Sequence, residues 1–310
     1  MSNEYKDVSG HSAERFGDTR TYWWNEDFLR MIVHRWPVGA LKHGLDVGCG
    51  VGHWGRQLAS VLPDLELVGI DREVGWVEAA ERRAQQAGLE GRLRYRQGAA
   101  EAIPFEDDCF DLVTCQTLLI HVASPPRALA EMVRVLKPGG TLLVAEPTNI
   151  APTILDSLAI GDAPATTSSL LAFQLYCVKG KAQLGEGNDL LGESLPLLLR
   201  GAALTDVEIR NNDRTWPLVP PYATAVERAQ IEDLEDALSR DRWIWDRETT
   251  QRYFVAGGGP PGEFSELWAL ATDSSRRVLE GFRRKSLTSA GGTLFYLAWG
   301  RKPVQALRAE

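Results

Sequence analysis

Apolar residues follow one rhythm up to Trp36 and another from Gly44 onward. The segment RTYWWNEDFLRMIVHRW, Arg20 to Trp36, places Trp24, Phe28, Met31 and Ile32 at helical spacing, and Pro37 closes it. This predicts an N-terminal helix lying across the core. From Gly44 the spacing tightens. GLDVG reads as a short strand running into a glycine loop, with a helix from Trp54 to Leu62 behind it. LELVGID is a second strand ending in an acid, and Val74 to Gly88 is a helix with Gly88 near its C-terminus. RLRYRQG and FDLVTCQT are a third and a fourth strand. PPRALAEMVRVL is a helix that stops at Lys137-Pro138-Gly139-Gly140, and TLLVAEP is a fifth strand.

Strands alternating with helices at this pitch predict βαβ units and a parallel sheet covered on both faces. Right-handed crossovers then bring the loops after the strands to one edge of the sheet, where ligands bind. Beyond Pro147 the alternation breaks. Residues 150–185 read as helical or irregular, and LGESLPLLLRGAALTDVEIR as a helix followed by a strand. Pro217 to Ala290 interrupts again and holds Trp243, Trp245, Tyr253, Phe254, Phe264 and Trp268 before the closing apolar strand TLFYLAWGRK. The expected organisation is an N-terminal helical lid (1–40), an α/β core (41–150), a first cap insertion (151–190), a core continuation (191–216), a second cap insertion (217–290), and a final core strand and tail (291–310).

Composition narrows the partners. The 310 residues are 44% hydrophobic and 25% charged, as in an ordinary globular protein. A net charge of −8 disfavours a nucleic-acid interface, which neutralises phosphates with clustered Lys and Arg. The short basic run Arg283-Arg284-Lys285 reads as a solvated helix face. Four cysteines form no CxxC pair and no zinc-ligand spacing, so no metal is expected. The polar start MSNEYKDVSGHSAERFGD lacks the apolar stretch of a secretory signal, and no run reaches the length of a membrane span. A reduced, cytoplasmic protein is the expectation. Oligomeric state is left open.

Chemistry concentrates in LDVGCGVGH, residues 45–53. A tight strand-to-helix turn needs residues without a Cβ, and Gly48, Gly50 and Gly52 supply them. Dinucleotide-binding folds use a similar loop, G-x-G-x-x-G, but the third position here is His53. His53 opens the helix and reads as structural. Asp71 ends the second strand about 20 residues after the loop, the interval at which an acid accepts both ribose hydroxyls.

The succession LDVGCGVG, VGID, GAAEAIPFEDDCFDLVTC and LKPGGTLLVAEP resembles the class I S-adenosylmethionine-dependent methyltransferase family, its small-molecule branch in particular. The likeness covers residues 44–148, and TLFYLAWGRK is similar to that fold's closing antiparallel strand. It implies a Rossmann-like seven-stranded sheet, mostly parallel with one antiparallel strand, helices on both faces, and a mainly helical cap from the two insertions. It also implies S-adenosylmethionine as donor, S-adenosylhomocysteine as product, and a small-molecule acceptor.

By the same resemblance Asp46 and the backbone of Gly48, Cys49 and Gly50 hold the amino-acid end of the cofactor. Asp71 holds the ribose, with Arg72 alongside the adenine. Ala99 stands where the family commonly has an Asp that bonds the adenine amino group, leaving the backbone of Ala100 and the side chain of Glu101. Gln116 lies beside the methionine portion. His121 sits where this branch often carries a histidine near the transferred methyl, as general base, acceptor-positioning group or loop packing. Tyr22 is the candidate aromatic contact to the sulfonium or the acceptor. The acceptor pocket is expected from the N-terminal helix and both insertions, whose aromatics suggest an apolar or planar molecule. Two alternatives are a nicotinamide-dependent oxidoreductase on a Rossmann core and a non-catalytic adenosylmethionine-binding protein.

Overall fold

The computed structural model describes residues 19–36 and 41–304. The polar segment 1–18 that bears on secretion, most of the lid's leading stretch, and the tail 305–310 lie outside the described residues. The elements begin with α1 (Glu26–Arg35), β1 (His43–Val47), α2 (His53–Val61), β2 (Glu66–Asp71), α3 (Val74–Gln86) and β3 (Leu93–Gln97). They continue with β4 (Phe110–Gln116), α4 (Pro125–Val135), β5 (Leu136–Thr148), α5 (Ala151–Ala159), α6 (Pro164–Gln183), α7 (Leu195–Gly201) and β6 (Thr205–Asn211). The last are β7 (Trp216–Leu218), α8 (Ala225–Ser239), α9 (Arg247–Ala256), α10 (Phe264–Arg283), β8 (Ser289–Gly291) and β9 (Leu294–Arg301).

The chain divides into two compact units. The first holds the described residues of Met1–Pro147, Leu191–Asp213 and Phe295–Glu310; the second is Thr148–Leu190 with Arg214–Leu294.

The first unit is built on a seven-stranded sheet in the order β3-β2-β1-β4-β5-β9-β6. Pairs β3–β2, β2–β1, β1–β4 and β4–β5 are parallel, and β9 runs antiparallel to β6. The apolar run TLFYLAWGRK thus lies between β5 and the edge strand β6 and runs antiparallel to β6. Alternation sorts the side chains. Leu45, Val47, Ile70, Val113, Cys115 and Val144 pack with α4 and α7 on one face. Leu67, Tyr95, Leu112 and Leu143 pack with α1, α2 and α3 on the other. By the same period of two, Asp46, Asp71 and Gln116 belong to the α1–α3 face. They sit at strand C-terminal ends.

The N-terminal reading needs one correction. Asn25 is extended, so α1 starts only at Glu26 and Trp24 lies before it. The helical phase counted from Trp24 is broken there. Phe28, Leu29 and Ile32 form the buried stripe, while Met31 is 48% exposed. Trp24 still reaches the core, against Trp54 and Phe295.

The second unit is mainly helical. Its core joins Leu170, Phe173 and Cys177 of α6, Tyr253 and Phe254 of α9, and Phe264, Trp268 and Ala271 of α10. Trp243 stacks on Phe173 with ring centroids 5.2 Å apart. Gly180 and Gly257 let α6 and α9 touch backbone to backbone, since a Cβ at Gly180 would stand 1.7 Å from the Tyr253 carbonyl oxygen. The aromatics of the second insertion thus pack in or against the core of their own unit. Among the described residues no helix is long and apolar enough to cross a membrane.

Candidate active site

The glycine loop is pinned to the end of β2. Gly48, Gly50 and Gly52 all have positive φ, at 68°, 52° and 74°, which L side chains rarely adopt. Gly48 and Cys49 both donate their N–H to the Ile70 carbonyl, at 2.8 and 3.0 Å. Gly50 donates to Asp71 Oδ2 at 3.0 Å, and Glu73 donates its backbone N–H to Asp71 Oδ1 at 3.0 Å. The N–H groups of residues 48–50 are therefore engaged within the fold, and the Cys49 carbonyl accepts the Gly52 N–H at 2.9 Å, so the loop offers a ligand its bare glycine surface. A Cβ at Gly48 would lie 2.5 Å from Leu118 Cδ1. Each Asp71 oxygen keeps a lone pair for a further donor. Burial raises the Asp71 pKa, opposed by the N–H groups of Glu73 and Gly50 and by the charge of Arg72.

Beside this loop lies a set of buried polar groups with no hydrogen-bond partner. Asp46 is 1% exposed and neither oxygen is bonded. Gln116, at the end of β4, is 3% exposed and both amide atoms are unpaired. His53, at the start of α2, is 4% exposed with both ring nitrogens unpaired, and the Tyr95 hydroxyl is likewise alone. Orphaned buried groups of this kind cost about 1–3 kcal/mol each. Four of them around one glycine loop are donors and acceptors that a polar ligand could satisfy. Burial pushes the Asp46 carboxyl well up, reinforced by the charge of Asp71 and eased by the Gly55 N–H. Burial pushes the His53 imidazole well down, helped by Arg20, Arg56 and Arg83 and opposed by the Gln116 amide. Cys49 is buried, which raises its thiol and keeps it neutral.

The loop after β4 is held from the opposite face of the sheet. Thr117 takes a positive φ of 50° and donates its N–H to the Ala145 carbonyl at 2.9 Å. The backbone N–H groups of Leu118 and Leu119 donate to Glu146 Oε1 at 2.9 and 2.8 Å, and that of Ile120 donates to Oε2 at 3.3 Å. His121 follows, its N–H on the Leu118 carbonyl at 2.9 Å and its side chain exposed. From the turn before α1, Arg20 donates to Thr117 Oγ1 at 3.2 Å. Tyr22 ends that turn half-buried.

The segment after β3 is fixed beside Asp71, for Gly98 donates its N–H to the Asp71 carbonyl at 3.0 Å. Ala99 bridges to Ala102, Ala100 is buried and Glu101 half-buried. Glu131 accepts the Ile103 N–H at 2.9 Å, and Arg134 donates to the carbonyls of Ile103 and Phe105. Arg72 is exposed and ion-pairs with Glu73 at 3.3 Å. Asp46, Gly48, Cys49, Gly50, Asp71 and Gln116 thus form one cluster, with Ala99, Ala100 and Glu101 in the strand-end segment that Gly98 ties to it. Arg72 and His121 present exposed side chains. Sequence reading missed Arg20, Tyr95, Thr117 and Glu146. Of these, only Glu146 left a trace, as a charge inside the apolar run TLLVAEP. Among the described residues no group of three or more His, Cys, Asp or Glu is placed to hold a metal.

A pinned glycine loop at the C-terminal edge of a parallel sheet, with an acid at the next strand tip, defines a Rossmann-like protein of the nucleoside-cofactor class. The methyltransferase-domain family matches residues 45–144. Residues 45–144 carry that methyltransferase domain. It is 33% identical over 135 residues to the uncharacterized methyltransferase YcgJ of Bacillus subtilis, covering 44% of this chain and 52% of that one. It is 39% identical over 124 residues to a demethylmenaquinone methyltransferase of Symbiobacterium thermophilum, covering 40% of this chain and 48% of the relative. The chain spans about half the length of the curated relatives it matches. Among solved structures, that of Bacillus subtilis YcgJ shares the fold with a TM-score of 0.51 at 20% identity, covering 90% of this chain and 99% of the other.

Proposed function

We propose that this chain transfers the methyl group of S-adenosylmethionine to a small-molecule acceptor by in-line displacement. The observation that carries the reading is the pair of fully buried, unbonded side chains, Asp46 and Gln116, beside a glycine loop pinned by Asp71. Asp46 supplies the anion for the donor's ammonium group, and Gln116 a donor and an acceptor for the methionine portion. Asp71 takes the ribose hydroxyls with the lone pairs left by Gly50 and Glu73. Arg72 flanks the adenine. Ala99 offers no polar side chain, so the Ala100 backbone and Glu101 make the adenine's polar contacts.

When bound, the donor supplies a methyl group on a sulfonium, already activated for displacement. The protein's task is alignment, which can lower a barrier by several kcal/mol. Buried, neutral Cys49 and His53 place no cation beside a positively charged donor. Tyr22 offers an aromatic face, which attracts cations. His121 accepts a proton where the acceptor is a hydroxyl or an acidic carbon. No metal takes part. The relatives named for quinone methylation match about 40% of this chain, so the acceptor is read no further than a small molecule. A reducing, cytoplasmic setting agrees with four free cysteines, three of them buried.

Calorimetric titration with S-adenosylhomocysteine tests the reading. Saturable binding is expected, followed by donor-dependent formation of S-adenosylhomocysteine with an acceptor from a broad panel. No heat of binding at millimolar ligand overturns it.

A further inference from the structure

His53 does not behave as a packing residue. It is the first residue of α2, directly after Gly52 in a left-handed conformation, so its side chain is rooted where the glycine loop turns into the helix. It is 4% exposed, and neither ring nitrogen meets a hydrogen-bond partner. A histidine kept for core packing normally bonds at least one nitrogen to a carbonyl, a carboxylate or water, because buried polar atoms without partners are rare. Its apolar contact is already provided, with Trp23 edge-on at 6.0 Å. Gln116, another unbonded residue on this side of the sheet, stands against the imidazole without completing a hydrogen bond to it. Two such side chains on different elements, β4 and α2, face one buried place beside the loop.

We infer that His53, paired with Gln116, is a donor-contacting residue that recognises the amino-acid end of the cofactor. The inference rests on the donor reading above and deepens it. A neutral imidazole carries one N–H donor and one acceptor, and a carboxamide carries both kinds as well. Together they suit a zwitterion, an ammonium beside a carboxylate, and they bring no net charge to the sulfonium. Asp46, on the same face at the end of β1, adds the single anion that the ammonium needs. Burial first, and then the charges of Arg20, Arg56 and Arg83, lower the pKa of the ring and so disfavour a second proton. Adenosine itself offers nothing for this set, since Asp71 and the segment after β3 serve the ribose and the base.

Two ligands separate this role from a structural one. S-adenosylhomocysteine carries the amino-acid end; 5′-methylthioadenosine has the same adenosine and thioether without it. Each is titrated into the full chain and into His53→Phe, which keeps an aromatic ring and removes the hydrogen bonds. S-adenosylhomocysteine is expected to bind His53→Phe about tenfold or more weakly. 5′-Methylthioadenosine is expected to hold within about twofold, and the thermal midpoint without ligand not to fall, because a buried orphan has been replaced by apolar surface. Gln116→Met, of similar length, is the second variant and is expected to show the same split. Unchanged affinity for S-adenosylhomocysteine in both variants overturns the inference, as does an equal loss for both ligands. If the wild-type chain binds neither ligand, the donor reading fails first and this inference with it.

Discussion

The buried carboxylate of Glu146 accepts the backbone N–H of Leu119 at 2.8 Å, and with it those of Leu118 and Ile120. One side chain at the end of β5 thereby sets three consecutive peptides of the loop that runs from Gln116 to His121. Burial nevertheless pushes the Glu146 carboxyl up to about 7 from an ordinary 4.5, against those three N–H groups and the Cys115 thiol. The folded chain then holds a proton that the unfolded chain has already released. The stability that Glu146 contributes through this proton is full below pH 4.5 and is lost as pH rises to about 7. Measured against Glu146→Gln by urea unfolding across that window, wild-type stability is expected to fall by on the order of 3 kcal/mol. A difference that stays flat or grows with pH contradicts this assignment.

Asp71 has two tasks, one for the fold and one for the proposed ribose. Asp71→Ala removes the acceptor for Gly50 and Glu73 as well as any ribose contact. Asp71→Asn keeps one carbonyl oxygen and loses the charge. S-adenosylhomocysteine affinity is expected to drop about 10- to 100-fold in the alanine variant and by less in the asparagine variant. Calorimetry decides it, and an unchanged dissociation constant in Asp71→Ala removes this residue from the site.

His121 presents an exposed imidazole, and its backbone N–H is on the Leu118 carbonyl. His121→Ala is therefore expected to leave S-adenosylhomocysteine binding within about twofold. With an acceptor that must lose a proton, kcat is expected to fall by about 10²- to 10⁴-fold, the usual scale of general acid–base catalysis. A large loss of cofactor affinity, or full turnover on such an acceptor, argues against the assigned role.

The parts of this site that the sequence exposes are those governed by local rules. Buried parallel strands leave apolar runs such as LELVGID, and the turn after β1 needs glycine at three positions that all have positive φ. Asp71 follows from its place at a strand end, while Asp46 and Gln116 come from the family resemblance. What stayed hidden depends on tertiary neighbours. Nothing near Arg20 announces Thr117, 97 residues on. Nothing in RLRYRQG shows that the Tyr95 ring fills the space over Gly52 and Gly69, where a Cβ would come within 2.4 Å of it. The break at Asn25 is a local event, but it shifts the helical phase, so spacing counted from Trp24 points Met31 inward where the structure buries Leu29.

Gly48 tests the loop directly. Its φ of 68° costs an L residue roughly 1–2 kcal/mol, and its Cβ would push into Leu118 on the loop that Glu146 holds. Gly48→Ala is expected to lose at least that much stability and to weaken S-adenosylhomocysteine binding, because Leu118 can yield only by moving the peptides between Gln116 and His121. Urea unfolding and calorimetry measure both. Wild-type values for both would mean that the loop is not confined as described.

In the second unit the decisive pair is Lys181 with Asp189. Their side chains are 5% and 6% exposed and meet at 2.5 Å, tying the last turn of α6 to the segment that leads out of the unit. That segment is fastened to the incoming chain as well. Asn149 donates its N–H to the Asp189 carbonyl at 3.2 Å, and Thr148 bridges Leu190. Removing one charge leaves the other buried without its partner, a change that typically costs about 3–5 kcal/mol, whereas replacing both by apolar residues can be nearly neutral. Lys181→Met is thus expected to lower stability by about that amount, and Lys181→Met with Asp189→Leu to restore most of it. Urea unfolding of the two variants gives the comparison. If the double variant is as unstable as the single one, the charges themselves, rather than the volume they fill, hold this end of α6.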